Sequence, residues 1–426
     1  MTPSHVVSLA FVAAMMAATP VAAQGPDAQT ASPLEDFLHA LRLSTTVRLD
    51  YFQSSKELDD RENLFGATLQ LKALPRFNDR LEGKLELRAA DSDFRNWKRG
   101  TNQSRLVEGY LTVHFEKADL RIGKQIVAWG RADGVNPTDN LTPRDYVVLL
   151  PLDEDQRFGT TALELNTYLS QELTLTTFAS TLFEPAKFAL PSAGIVTLQP
   201  PHTVSNTEVG LKLNKTGGDF DWSVSYFHGY NLLPTLRAEA SAPELRYDRI
   251  NVLGADWARN FGRFGFRTEV AYTRPSDPGG TDPNARNPRV FWIAGVDRTF
   301  LENLNVNLQL LLRWMPQYHP PAQISGPTLQ EVAALNAVID GQEARSTKGS
   351  TFRVSNSWLN QTLTAEIFAV INFTRSDHYL RPLLTYTFSD HLKGFLGGDI
   401  YHGSGNTQYG LLQPTSGAFA ELRYGF

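Results

Sequence analysis

The sequence predicts an all-β fold, a transmembrane antiparallel β-barrel of about eighteen strands, with sixteen as the nearest alternative. Three observations predict it. Apolar and polar residues alternate in segments of spanning length, short and long connections succeed one another, and beyond residue 23 no apolar run reaches the roughly 20 residues that a spanning helix needs. Barrel strands alternate and so average to a polar composition, which makes a mean hydropathy of -0.28 compatible with a membrane protein. The absence of cysteine suits passage through an oxidising compartment. A net charge of -5 without any basic tract argues against a nucleic-acid partner.

Residues 1–23 read as a signal peptide. Val6 to Ala18 is apolar and short, and Thr19-Pro20-Val21-Ala22-Ala23 supplies a small-residue cleavage site, with cleavage expected after Ala23. The run departs from the usual pattern in having only His5 as a basic residue ahead of it. Residues 24–40, with Pro26 and Pro33, form a leader too short for a plug domain, and 41–426 is the barrel.

From Leu41 the period is two. Leu41, Leu43, Thr45, Val47, Leu49 and Tyr51 share one face, and Arg42, Ser44, Thr46, Arg48 and Asp50 the other, over about the 9 to 11 residues of a tilted spanning strand. Leu81, Gly83, Leu85, Leu87 and Ala89 repeat it against Glu82, Lys84, Glu86 and Arg88. Four charges on one face cannot lie in a dry core without partners, but they can face a wet lumen. Phe264, Phe266, Val270 and Tyr272 oppose Arg267 and Glu269, and Leu304 to Trp314 oppose Asn305, Asn307, Gln309 and Arg313. Arg42, Arg48, Glu82, Lys84, Glu86, Arg88, Arg121, Arg267, Glu269 and Arg313 are therefore expected to face the lumen. Because acidic and basic wall residues are nearly matched in number, any selectivity must come from elsewhere than the wall.

Tight breaks at 116–119, 170–171, 215–218, 301–303 and 389–391 alternate with long polar stretches near 90–104, 184–206, 230–245, 274–289 and 316–349. Short turns at one end and long loops at the other are what a barrel requires, and an even strand count leaves both termini on the short-turn side. A weakly helical stretch, Leu329 to Glu343, lies within one long loop.

The chain ends Ala418-Phe419-Ala420-Glu421-Leu422-Arg423-Tyr424-Gly425-Phe426, with Leu422, Tyr424 and Phe426 on one face. This resembles the terminal-strand signal of Gram-negative outer-membrane barrels. The resemblance implies outer-membrane localisation, assembly by the barrel-assembly machinery, and contact with outer-membrane lipid and lipopolysaccharide. The last strand should pair with the first, which removes the open sheet edge.

The stretch from Gly123 through Tyr146 (GKQIVAWGRADGVNPTDNLTPRDY), which runs from the fifth strand into the connection after it, resembles a motif of porin-like outer-membrane proteins of unassigned function. In general porins the connection after the fifth strand folds into the pore, so the resemblance makes the loop 129–157 a candidate constriction. It implies monomers or homotrimers. Read from its residues, the loop is compact, since Asn136-Pro137, Thr142-Pro143 and Asp139-Asn140 favour local turns. Its charges are Arg131, Arg144 and Arg157 against Asp133, Asp139, Asp145, Asp153, Glu154 and Asp155. They either filter solutes or pair among themselves and pin the loop to the wall. Asp153-Glu154-Asp155 offers oxygen ligands for a divalent cation but lacks the glycine spacing of a calcium loop, so neither metal nor cofactor is expected.

The expected function is a channel for passive or substrate-selective diffusion of small polar solutes. A conduit or structural barrel for polymer or lipid export with partner proteins is an alternative. A hydrolase using His402 and Ser404 is a weaker one, because no G-x-S-x-G, H-E-x-x-H or P-loop is present.

Overall fold

The computed structural model describes residues 41–54, 63–92, 103–146, 152–187, 195–238, 243–282 and 284–426. The signal peptide and leader expected over 1–40 lie outside the described residues.

Eighteen strands form the wall: β1 Ser44–Ser54, β2 Asn63–Ala73, β3 Leu81–Ser92, β4 Gln103–His114, β5 Ala118–Gln125, β6 Thr160–Tyr168, β7 Leu173–Ser180, β8 Glu208–Lys215 and β9 Asp221–Tyr230. The second half comprises β10 Arg249–Phe261, β11 Phe264–Pro275, β12 Arg289–Phe300, β13 Leu304–Trp314, β14 Ser346–Trp358, β15 Leu363–Asn372, β16 Asp377–Thr387, β17 Leu392–His402 and β18 Gly417–Gly425. Each pairs antiparallel with its neighbours in sequence, and β18 closes on β1 from Thr46↔Gly425 to Ser54↔Gly417. Thr45 and Phe426 exchange both backbone hydrogen bonds at 2.9 Å, so pairing runs to the last residue. The segments near 350–373 and 392–426 supply four strands, which removes the sixteen-strand alternative.

Alternation places the side chains as the period of two requires. Leu253, Leu310 and Leu396 face outward, 58 %, 53 % and 57 % exposed, whereas Glu269, Gln309 and Glu421 face inward and are buried. Wall charges pair across strands, Lys84 with Glu108, Arg121 with Glu164 (3.6 Å), Arg267 with Asp297 (2.6 Å) and Arg381 with Asp399 (2.7 Å), and along β3, Arg88 with Glu86 (2.9 Å). Glu82 lies at the short-turn end, 3.4 Å from His114. Arg313 lies over the Phe291 ring at 4.3 Å.

One wall residue is corrected. The first strand starts at Ser44 and not at Leu41, and Arg42 precedes it with φ 47°, exposed. A left-handed residue cannot continue an extended strand, so Arg42 is not on the lumenal wall.

At the long-loop end, the helical stretch forms α1 (Pro327–Ile339), which packs on the hairpin of Thr235–Ala238 and Pro243–Arg246. The Asn336 amide donates to the Leu236 carbonyl (2.8 Å) and accepts from its N–H (3.0 Å). Arg286 ties three loops together, donating to the Leu233 carbonyl (3.0 Å) and pairing with Asp340 at 2.8 Å.

Candidate functional site

The chain between β5 and β6 turns inward at once. Val127 N–H donates to Thr142 Oγ1 (2.8 Å), whose hydroxyl donates back to the Val127 carbonyl (2.7 Å), so both limbs of the loop meet near the wall. Gly159 N–H then rejoins β4 at the Val107 carbonyl (2.8 Å). Val127, Trp129 and Leu141 pack in one apolar cluster with Ala162, Phe178, Phe227, Ile250, Val252 and Ala271 of the inward-facing wall. Burial of these side chains from the aqueous lumen stabilises the inward position of the loop.

Glu269 of β11 is the first polar anchor. Its Oε2 accepts from the backbone N–H of Arg131 (3.0 Å) and of Ala132 (3.1 Å), and its Oε1 from the N–H and hydroxyl of Thr138 (2.7 and 2.8 Å). One carboxylate thus satisfies three backbone donors of an irregular segment, in bonds strengthened by its charge. Gly130, at φ 95°, makes the approach possible: a Cβ there would lie 2.5 Å from the Glu269 Oε2. Beyond this anchor the loop continues round the lumen. Arg131 donates to Asn214 of β8 (2.6 Å) and pairs with Asp256 of β10. Asp133 accepts from Asn307 (3.2 Å) and pairs with Arg353 of β14 (3.1 Å), while Gln309 of β13 both accepts from its N–H and donates to its carbonyl. β5 and β14 are nine strands apart in a ring of eighteen, so Asp133 meets the wall diametrically opposite the loop's origin.

The returning limb has its own anchor on the other side. Asp155, in a single helical turn at Asp153–Gln156, meets Arg48 of β1 (3.0 Å) and Arg423 of β18 (3.1 Å), and its carbonyl accepts from Arg88 of β3 (2.7 Å). Glu421 holds two of these arginines, accepting from Arg48 at 2.7 Å and Arg423 at 2.7 Å. Burial works to raise the Asp155 carboxyl, but Arg48, Arg423 and Arg88 outweigh it and hold it below the ordinary aspartate value of 3.8. With the folded value depressed, the anchor contributes its stability above pH 3.8 and loses it as pH falls through the lower folded value. Release of this limb of the loop, read by hydrogen exchange of its backbone amides, is therefore expected only below pH 4 at constant ionic strength. Asp155→Asn at pH 7 should reproduce the acid behaviour.

Asp139 and Arg157 pair within the loop at 2.6 Å, and Arg144 and Arg157 face each other in a backbone bridge. Burial pushes the Asp139 carboxyl up against the opposing effect of Arg157 and Arg144. Asp145 accepts from Arg105 of β4 at 3.0 Å and bridges to Lys187 of the next long loop. The side chains of Asp153 and Glu154 lie outside the described residues. Of the nine loop charges singled out in the sequence, Asp133 reaches the far wall, and Arg131 and Asp155 the wall to either side of the loop's origin. Asp139, Arg144 and Arg157 serve the loop's own folding.

The wall partners Glu269, Asn214, Asp256, Gln309 and Arg353 are the anchoring residues that the sequence did not single out as such. Glu269 was legible only as an inward-facing carboxylate. The other candidate chemistry is scattered. Ser404 donates to Asn406 (2.7 Å), and the His402 ring lies against His378 with centroids 5.1 Å apart.

No family model matches the chain and no curated relative does. Solved structures are similar to it in fold. OccK5 (OpdH) of Pseudomonas aeruginosa aligns over 90% of this chain and 96% of its own at 11% identity and a TM-score of 0.53. OccAB4 of Acinetobacter baumannii gives 90% and 97% at 11% identity and 0.53, and OccAB1 of the same organism 90% and 96% at 8% identity and 0.55. What they share with this chain is the architecture of the barrel.

Proposed function

We propose that the protein is an outer-membrane channel for passive diffusion of small polar solutes, narrowed by the loop 129–157. The observation that carries this reading is the pair of anchors, Glu269 on one side and Asp155 on the other, which hold a folded loop inside a polar lumen. A conduit for polymer would need a wide bore, and a loop fastened at both sides by charge-assisted bonds opposes that. Solutes would pass between the anchors along the wall of β14 to β17, where Glu366, Phe368, Arg381 and Asp399 face the lumen. Phe368 stands beside Gly134 at the loop tip, where a Cβ would lie 3.3 Å from the ring.

The purified protein in planar bilayers is expected to give discrete, ohmic conductance steps. An absence of conductance at every salt concentration would sink the channel reading. Conductance unchanged on deleting 133–155 from an otherwise folded barrel would remove the constriction and leave the pore. Phe368→Ala, which removes bulk beside the loop tip, should raise conductance severalfold, whereas a constriction elsewhere would leave it unaltered.

A further inference from the structure

We propose that the outward face of β9 to β11, at the long-loop rim, binds the phosphate of an anionic lipid headgroup through Arg249 and Arg274. The proposal rests on the outer-membrane reading above but not on conduction. Val224 of β9 and Leu253 of β10 belong to the exposed apolar belt, and alternation puts Tyr226, His228, Asn251 and Arg249 on the same face nearer the long loops. Arg249 is four residues beyond Leu253, about 13 Å along the strand. That is the passage from acyl chains to headgroups, where the penalty for a charge on the lipid face fades and amphipathic rings are favoured.

Arg249 is immobilised there entirely by neutral groups. Its Nε donates to the Tyr230 hydroxyl (3.1 Å), and its Nη2 to the Ser205 carbonyl (2.6 Å) and Asn206 Oδ1 (2.9 Å). Nη1 lies 2.7 Å from His228 Nε2, and the guanidinium sits 4.8 Å from the Tyr230 ring centroid. The Asn251 Oδ1 accepts from the Tyr226 hydroxyl (2.8 Å) and lies 2.9 Å from His228 Nδ1, which orients the imidazole toward Arg249. Among the described residues no carboxylate forms an ion pair with Arg249. Its charge is held in place without a salt bridge, countered through space by the buried Glu208 carboxyl, and one Nη1 hydrogen is left over from these bonds. Arg274 is exposed, faces Asn251 across β10 and β11, and has no hydrogen bond or ion pair among the described residues. Arg249 thus offers one N–H and Arg274, on the neighbouring strand, its whole guanidinium, whose fork suits two oxygens of a phosphate in parallel hydrogen bonds.

The test titrates the full-length purified protein in detergent with bis-phosphorylated lipid A, with its dephosphorylated form and with inorganic phosphate, reading bound lipid by native mass spectrometry. The wild type should prefer the phosphorylated lipid, and Arg249→Gln/Arg274→Gln should weaken it by at least about ten-fold, as loss of charge-assisted hydrogen bonds implies. Arg274→Gln alone, which breaks no internal bond and so leaves folding intact, should show a smaller loss in the same direction. Conductance and heat-dependent gel mobility should be unchanged in both, which separates this site from the pore. Equal affinity of wild type and double variant would overturn the proposal. Competition by inorganic phosphate at concentrations as low as those of the lipid would assign the site to free anions and overturn the lipid as its ligand.

Discussion

Glu269→Ala is expected to raise single-channel conductance severalfold and to make it noisy, because it frees the far limb of the loop. The variant leaves the N–H groups of Arg131, Ala132 and Thr138 without the acceptor they share, in a site where Glu269 itself is only 1 % exposed. Leaving a buried donor without its acceptor costs about 1–3 kcal/mol, and three backbone donors lose theirs here. That would shift the balance between docked and released loop by on the order of 100-fold or more. Glu269→Gln should be intermediate, since an amide keeps one acceptor oxygen and turns an N–H₂ toward the remaining donors. Glu164→Ala removes a wall partner of Arg121 and Asn166, makes no contact with the loop's anchors, and serves as the control, with conductance near that of the wild type. Quiet, wild-type-sized steps from Glu269→Ala in a barrel of normal thermal stability would show that the apolar cluster around Trp129 holds the loop unaided.

Deleting Phe426 is expected to lower the yield of assembled barrel by roughly ten-fold while leaving the conductance of the surviving channels unchanged. Phe426 exchanges two backbone hydrogen bonds with Thr45 at the seam where the sheet closes. At about 0.7 kcal/mol net each, their loss favours the open-edged form by about that factor, and an open edge invites pairing with other chains. Its ring is 56 % exposed and lies near Tyr424, with centroids 5.9 Å apart. Phe426→Ala keeps both backbone bonds and removes only the ring, so comparing the two variants separates seam closure from recognition of the aromatic terminus. Heat-modifiable mobility of membrane fractions reads both, and normal assembly of the deletion variant would count against the seam argument.

The wall was legible in the sequence because each strand obeys a local rule. Leu85 and Leu87 alternate with Glu86 and Arg88 whatever lies elsewhere in the chain, and the same rule put Glu421 inward and Leu422 outward on the strand that closes the barrel. The rule failed at Arg42, where a single left-handed residue ends the extended backbone and the alternation of residue types carries on regardless. The loop was legible as an element and partly as a site. Its prolines and Asx residues mark a compact connection after the fifth strand, and Arg131, Asp133 and Asp155 were singled out by charge. Their partners were not, because a charged residue's sequence position says nothing about which of many opposite or neutral groups it will meet.

The sequence by itself determined the barrel, the face that the wall residues other than Arg42 take and the pairing of the last strand with the first, since these follow from a period of two and from connection length, while the structure decided eighteen strands over sixteen. Only the tertiary structure decided that Glu269, more than 130 residues along the chain, gathers the backbone of Arg131, Ala132 and Thr138, and that Asp155 meets Arg48, Arg88 and Arg423 from three separate strands. Those contacts depend on closure. Bending eighteen strands into a ring brings β5 opposite β14 and β1 beside β18, and a loop spanning that ring finds its partners by distance across the lumen, a quantity that no local pattern encodes.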